Sequence, residues 1–166
     1  MPLFTTGNAR RFGDDINTDY IISSRRKRES LDPAVQKNYL VETIAPEFAG
    51  SVVAGDILVA GKNFGCGSAM EVAVTAVVGA GIKVVLAKSF SRTYFRNAVN
   101  NGLYPIECDT SQIMEGDVLR VDAGAQTRIQ CARNDLDIEA VPIPQELLKL
   151  LDAGGLVPYL RQHSML

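Results

Sequence analysis

The sequence predicts an α/β protein that has a parallel β-α-β-α-β core followed by an antiparallel section. Strands rich in β-branched residues alternate with helices between residues 57 and 108, which is typical of a parallel sheet with right-handed crossovers. After residue 115, short strands are joined by glycine and polar turns instead. A chain of 166 residues can bury a real core, so we expect one domain over residues 1–166.

The core elements are predicted from apolar runs and the glycines that end them. GDILVAG predicts a strand over Ile57–Ala60, and the apolar run that follows predicts a helix from about Ala69 to Val78, ended by Gly79 and Gly81. KVVLAKS predicts a second strand, SRTYFRNAVNNG a second helix, and YPIEC a third strand.

The flanking segments carry weaker signals. GDDINTD predicts turns before a short β-like YII, and AVQKNYLVETI predicts a short helix. GDVLRVDAG, TRIQCA and LDIEAVPI predict antiparallel strands. PQELLKLLDAGG predicts a terminal helix, because proline stands at its first turn and glycines at its end, and LVPYLRQH adds one more turn.

Composition argues against several functions. A net charge of −2 disfavours a general nucleic-acid binder, and no apolar run is long enough to span a bilayer. The N-terminus lacks a signal-peptide layout, so we expect a cytosolic protein. Cys66, Cys108 and Cys131 form no C-x-x-C pair, and His163 is the only histidine. We therefore expect no disulfide framework, no metal or iron–sulfur site within this chain, and no histidine triad.

The stretch NFGCGSAME, residues 63–71, is the strongest candidate for chemistry. Ser68 has two interpretations: it begins a capping box with Glu71, or it acts as a base, stabilised by the free N–H groups at a helix N-terminus. A dinucleotide site fits less well, because Gly65 and Gly67 supply only part of G-x-G-x-x-G and Met70 replaces its last glycine.

Two further clusters leave alternatives open. In GDDINTDYII, the acidic residues either make turns or suggest a metal site, although the spacing of a calcium loop is absent. In SSRRKRES, the cations form either a solvated loop or an arginine fork for a small carboxylate substrate; they are Arg25, Arg26, Lys27 and Arg28.

Three motifs in order resemble the small subunits of aconitase-type dehydratases. They are N-T-D-Y-I-I, N-F-G-C-G-S-x-x-E and S-F-S-R-T-Y-F-R-N-A-V-N-N-G-L-Y-P-I, and the resemblance runs from Gly13 to the C-terminal helix. It implies a swivelling β/β/α domain that docks on a separate large subunit, which carries a [4Fe–4S] cluster. It also implies removal of water from a hydroxy-dicarboxylate, with 3-isopropylmalate expected from family frequency.

The resemblance also implies roles for individual residues. Ser68 matches the serine that takes the proton from carbon, and Asp19 matches an aspartate of the same catalytic group. The loop after Asp19 reads the variable end of the substrate. We therefore expect these residues to bind substrate: Arg25, Arg26, Arg28, Gly65, Gly67, Ala69 and Met70. No metal is assigned to this chain, and a homo-oligomer of the isolated chain stays open.

The chain departs from the family pattern at the site. The family usually reads G-S-S-R-E, whereas this chain has G-S-A-M-E, so the arginine that binds substrate carboxylate is missing. This chain has Asn17 where the family usually has an aspartate, and Ser23 where it usually has a proline. We expect Met70 to face the substrate-binding edge and a mobile basic loop to supply the charge. The alternatives are a more polar substrate such as a homoaconitate-like tricarboxylate, a non-catalytic binding paralogue, or a nucleotide-binding module.

Overall fold

The structure, a computed structural model, describes residues 3–124 and 126–165. Its strands are β1 (Leu3–Arg11), β2 (Ile57–Val59), β3 (Val84–Ala87), β4 (Tyr104–Glu107), β5 (Val118–Ala123), β6 (Thr127–Cys131) and β7 (Leu136–Glu139). Its helices are α1 (Thr18–Ile21), α2 (Ser24–Glu29), α3 (Pro33–Gln36), α4 (Phe48–Ser51), α5 (Val72–Gly79), α6 (Arg92–Asn100), α7 (Gln145–Asp152) and α8 (Leu156–Gln162). Short 3₁₀ turns cover Lys37–Tyr39 and Ala132–Asn134.

The strands form one seven-stranded mixed sheet in the order β4-β3-β2-β1-β5-β6-β7. β2, β3 and β4 are parallel, with α5 and α6 as the connections between them. β5, β6 and β7 are antiparallel neighbours. The predicted α/β architecture, a parallel core with an antiparallel section, is therefore confirmed.

β1 is the strand that the sequence did not reveal. It lies in the middle of the sheet, parallel to β2 and antiparallel to β5, and so joins the two halves. Most of its residues alternate between exposed and half-buried, and Ala9 alone is fully buried, so the apolar run typical of an inner strand is missing. Position 7 must be glycine, because a Cβ there would collide with the Gly55 carbonyl. A glycine inside a strand also weakens the sequence pattern by which strands are predicted.

The parallel strands are buried on both faces, which explains their continuous apolar sequences. One face packs on α5, with Leu58 and Val85 among the buried side chains. On the other face Val59 and Leu86 share a core with the antiparallel strands and with Leu151 of α7. None of the helices in the described residues combines the length and apolar character needed to cross a lipid bilayer.

The sheet curls until its two ends meet. After β7, the N–H of Ala140 donates to the carbonyl of Thr127 at 2.9 Å, and the N–H of Val141 donates to that of Glu107 at 2.9 Å. Glu107 ends β4, so a segment from one edge of the sheet is bonded to the strand at the other edge. This curl encloses the core that contains α7's Leu151.

Several predicted elements of the N-terminal part are wrong. Of the YII predicted as β-like, Tyr20 and Ile21 are helical in α1 and Ile22 is extended; Asn17 caps this helix, accepting a hydrogen bond from the N–H of Asp19 at 2.9 Å. The basic segment is the helix α2, not a loop. The helix predicted in AVQKNYLVETI is shorter, comprising α3 and the following 3₁₀ turn. α5 begins at Val72, three residues later than predicted.

Candidate active site

The glycine loop, residues 65–69, lies where ligands collect in open α/β sheets, beyond the carboxyl ends of parallel strands. The chain leaves β2 at Val59 and passes the end of β3, where the N–H of Phe64 donates to the carbonyl of Ser89 at 3.0 Å. The N–H of Ser91 then donates to the carbonyl of Phe64 at 3.0 Å. The loop therefore starts from a fixed point beside β3.

The segment Ile-Asn-Thr-Asp, residues 16–19, runs alongside this loop. The N–H of Gly65 donates to the carbonyl of Ile16 at 2.8 Å, and the N–H of Thr18 donates to that of Cys66 at 2.8 Å. The Thr18 hydroxyl donates to the Ser68 carbonyl, also at 2.8 Å. The structure thus brings the Ser68 loop and the Asp19 helix, predicted to hold the catalytic pair, together at one place.

The two glycines of the loop are required by close packing. Gly65 has φ +79° and lies against the ring of Tyr94, which a Cβ would overlap. Gly67 has φ +92°, and a Cβ there would lie 2.5 Å from the side-chain amide of Asn17. Both φ values fall in the left-handed region that favours glycine. The glycines therefore allow the loop to approach Asn17 and α6.

The capping-box interpretation of Ser68 is wrong. An N-cap residue gives its carbonyl to the first intrahelical hydrogen bond, but the Ser68 carbonyl accepts from Thr18 instead. The N-cap of α5 is Glu71, which makes no side-chain capping bond. Ser68 is exposed, and its hydroxyl has no hydrogen-bond partner within residues 3–124 and 126–165. The hydroxyl is therefore free for a ligand, although it lies before the helix rather than at its N-cap.

Asp19 is exposed in the first turn of α1. The Asn17 side chain caps α1 by accepting a hydrogen bond from the Asp19 N–H, and this bond fixes the backbone that carries the Asp19 carboxylate. Asparagine is as good an N-cap residue as aspartate. The usual family aspartate is therefore not needed at position 17 to hold α1. The neighbouring Asp14 and Asp15 brace a turn, accepting hydrogen bonds from the Lys62 N–H at 2.7 Å and the Asn63 amide at 3.0 Å.

The arginines of α2 differ from one another in their contacts. Arg26 is half-buried and forms ion pairs with Glu42 at 2.9 Å and Glu29 at 3.1 Å. Hydrogen bonding to these carboxylates, Glu42 foremost, raises the pKa of Arg26. Its guanidinium also lies 3.8 Å from the ring centroid of Tyr39. Arg26 thus anchors α2 to the residues that follow it.

Arg25 and Arg28 are exposed on the same short helix. Within the part of the chain that the structure describes, neither one forms an ion pair. They are three residues apart and so lie near each other on the helix surface. Of the three predicted arginines, these two have guanidinium groups available for a substrate, and their role in binding stays a prediction.

Met70 is placed differently from expectation. Its side chain is only 5% exposed and packs in the core with Ile16, Ile21 and Val72. The prediction that this side chain faces the substrate-binding edge is wrong. Gly67, Ser68 and Ala69, by contrast, are all exposed. The exposed part of the loop ends where Met70 enters the core.

The cysteines do not fit an iron–sulfur cluster. Cys66 is partly exposed, whereas Cys108 and Cys131 are buried. Burial, with a smaller effect of the Asp109 charge, raises the pKa of the Cys108 thiol to about 12, so it stays protonated at neutral pH. Among residues 3–124 and 126–165, no three histidine, cysteine, aspartate or glutamate side chains are grouped so that they could hold a metal ion.

Sequence reasoning assigned no role to three residues that shape the site: Thr18, Ser91 and Tyr94. The Ser91 hydroxyl donates to the Gly65 carbonyl at 2.8 Å and caps α6 by accepting from the Tyr94 N–H at 3.3 Å. The Tyr94 hydroxyl donates to the Ala73 carbonyl in α5 at 2.9 Å. A serine directly before the start of a predicted helix is a capping signal, so the role of Ser91 could have been inferred from the sequence.

The sequence and the fold of this chain are similar to those of known proteins. Residues 35–111 match the family described as the aconitase C-terminal domain. The chain is similar to 3-isopropylmalate dehydratase small subunit 2 of Archaeoglobus fulgidus, with 41% identity over 158 residues and 95% of each chain covered. It is also similar to the methanogen homoaconitase small subunit of Methanocaldococcus jannaschii, with 40% identity over 160 residues, covering 96% of this chain and 93% of the other. A crystal structure of 3-isopropylmalate dehydratase from Methanocaldococcus jannaschii superposes with a TM-score of 0.93 and 39% identity, covering 98% and 96% of the two chains.

Proposed function

Because the chain belongs to the family of 3-isopropylmalate dehydratase small subunits, which has the aconitase C-terminal-domain fold, we propose that it is the small subunit of a two-subunit hydro-lyase. The proposed substrate is a substituted malate, first of all 3-isopropylmalate. The observation that carries this proposal is the free Ser68 hydroxyl, held beside the Asp19 segment by the bonds of Thr18.

In the proposed reaction, Ser68 acts as an alkoxide: its oxygen accepts the proton from the carbon next to the one that bears the substrate hydroxyl and becomes a neutral hydroxyl. The electrons of the broken C–H bond form the double bond as the C–O bond breaks. The leaving hydroxide takes a proton from a general acid of the assembled site and departs as water, and Ser68 then returns its proton to that acid. Asp19 belongs to the same catalytic group, where its carboxylate accepts hydrogen bonds from the reacting hydroxyl groups. The glycines let the backbone come close to the substrate at this point.

This chain does not complete the site alone. The relatives are named as small subunits, so the partner in this proposal is a large subunit. The Lewis-acid chemistry of a [4Fe–4S] cluster belongs to that subunit, since the cysteines of this chain do not fit a cluster. We therefore expect the isolated chain to show neither turnover nor a cluster absorbance band after reconstitution with iron and sulfide.

Arg25 and Arg28 are proposed to supply the positive charge that the family arginine provides elsewhere. Met70, in the position of that arginine, is buried and offers no charge. Arg26 is already paired with Glu42 and Glu29, so it serves to hold α2. Within the described residues, the guanidinium groups of Arg25 and Arg28 form no ion pair, and a helix with two such groups also suits a substrate with an additional carboxylate, which favours a homoaconitate-type tricarboxylate as the second candidate.

The decisive experiment is Ser68→Ala in the complex with the large subunit. Loss of the base is expected to lower kcat by at least about a hundredfold. The melting temperature of the isolated chain should hardly change, because the hydroxyl has no bonding partner within the described residues. Ser111→Ala, at an exposed serine after β4, is the control and should keep its activity.

Two results would contradict the proposal in different ways. A Ser68→Ala complex with nearly full kcat would show that another group takes the proton. A wild-type complex that turns over neither 3-isopropylmalate nor a homoaconitate-type substrate would favour the non-catalytic paralogue. Binding of a nucleotide by the isolated chain would support the third alternative.

A further inference from the structure

We propose that Thr18 is a positioning residue that holds Ser68 in its reactive orientation. This inference rests on the proposed function, because it concerns how the same site is held together. Thr18 does not itself contact the reacting atoms in this account. It acts through the backbone of the glycine loop.

Thr18 gives both of its hydrogen-bond donors to that loop. Its backbone N–H donates to the Cys66 carbonyl and its hydroxyl donates to the Ser68 carbonyl, each at 2.8 Å. Thr18 is only 2% exposed, so water cannot easily replace either bond. One buried residue therefore fixes the loop at two points, two residues apart.

These bonds restrict the backbone on both sides of Ser68. A planar peptide turns as a unit, so a bonded carbonyl also fixes the direction of the following N–H. The Ser68 carbonyl fixes the peptide that leads into Ala69, and the Cys66 carbonyl fixes the peptide that leads into Gly67. Between them lies Gly67 with φ +92°, which as a glycine has more backbone freedom than Cys66 or Ser68 on either side. Without the hydroxyl bond, rotation at Gly67 and Ser68 would let the serine side chain move away.

Thr18 also connects Ser68 with Asp19. It is the first residue of α1, and its carbonyl accepts from the N–H of Ile22 at 3.0 Å. Asp19 follows it directly in the chain. The residue that holds Ser68 is therefore part of the backbone that carries Asp19, and the two predicted catalytic side chains keep their relative position.

A matched pair of variants isolates the hydroxyl bond. Thr18→Val keeps the shape of the side chain and the backbone N–H bond to Cys66, but it removes the bond to the Ser68 carbonyl. Thr18→Ser restores a hydroxyl at the same position. The first measurement is the ¹⁵N backbone order parameter of residues 67–69 in the isolated chain. We expect the rigid value of about 0.85 to fall below about 0.6 in Thr18→Val and to recover in Thr18→Ser.

The second measurement is the kinetics of the complex with the large subunit. Thr18→Val should lower kcat about tenfold or more while KM changes less than about twofold, because substrate contacts are intact. The primary deuterium isotope effect at the carbon that loses its proton should rise, since proton transfer becomes slower. Thr18→Ser should stay within about threefold of the wild-type kcat.

The outcomes separate this proposal from a purely structural role and from the proposed function. It is overturned if Thr18→Val keeps a rigid loop and the wild-type kcat, or if KM rises while kcat and the isotope effect are unchanged. It is also overturned if Thr18→Val and the smaller Thr18→Ala both fail to fold, since Thr18 would then serve the whole fold. If the wild-type complex is inactive, the proposed function fails, and the order parameters alone decide whether Thr18 fixes the loop.

Discussion

Replacing Gly67 by alanine tests whether the close approach of the glycine loop to Asn17 shapes the site. Two costs are expected. An alanine at φ +92° carries a backbone penalty of about 1–2 kcal/mol, which reduced freedom of the unfolded chain offsets by about 0.4–1 kcal/mol. The new Cβ would also lie 2.5 Å from the Asn17 amide, so the side chain that caps α1 must move. Loss of that cap adds about 1 kcal/mol.

We therefore expect Gly67→Ala to destabilise the isolated chain by about 2 kcal/mol, a decrease in melting temperature of roughly 4–8 °C for a protein of this size. Gly55→Ala is the matched control. Gly55 has φ +95°, yet a Cβ there would meet no atom within 4 Å. It should show only the backbone penalty and should keep full activity in the complex. Gly67→Ala should lose activity, because displacement of Asn17 disturbs both α1 and the loop.

A double-mutant cycle identifies the cause. If the clash with Asn17 is responsible, Asn17→Ala removes the obstacle, and the double variant should be more stable than the sum of the single effects predicts. Strictly additive effects would refute the steric explanation. Equal losses of stability in Gly67→Ala and Gly55→Ala would refute it as well, because the backbone penalty would then account for everything.

Two further predictions concern charge and titration. In the complex, Arg25→Ala and Arg28→Ala should each lower kcat/KM about 10- to 100-fold. Arg26→Met should chiefly lower the melting temperature of the isolated chain, because Arg26 is paired with Glu42 and Glu29. If both exposed arginines can be replaced without a change in kcat/KM, α2 does not bind the substrate. Burial raises the pKa of Cys108 from 9.0 to about 12, so its contribution to stability should be complete below pH 9 and decline as pH rises toward 12. Urea titrations from pH 8 to 12 should therefore show a smaller decrease for Cys108→Ala than for the wild type, and an equal decrease would contradict this assignment.

The sequence predicted the parallel core because those strands are buried on both faces. Burial on two sides demands a continuous apolar run, as in Val84–Ala87, and such a run is visible without any knowledge of its partners. β1 has no such run. It becomes a central strand only through partners that lie far along the chain, at Ile57 and Ala123.

The sequence predicted which residues belong to the candidate site, but not how those residues are arranged. Ser68 followed by Glu71 has the pattern of a capping box, and the local sequence gives no sign that Thr18, fifty residues earlier, takes the Ser68 carbonyl. Likewise, Met70 follows an exposed loop, and only the tertiary structure shows that it turns into the core. Long-range hydrogen bonds and packing decided both cases, and neither is encoded in a local pattern.

The central place of β1 has a consequence for how the chain acquires its fold. Asn8 pairs with Val118 and Leu3 with Ala123, so more than a hundred residues separate this strand from its antiparallel partner. During synthesis, β1 can pair with β2 early, but one of its edges stays without a partner until β5 leaves the ribosome. Contacts of such long sequence separation slow folding, and an open strand edge is a site for pairing with other chains. Thr5, Thr6 and Asn8 make the side chains of this strand polar, so we expect the same composition that weakens its strand signal to lower the tendency of the nascent chain to aggregate.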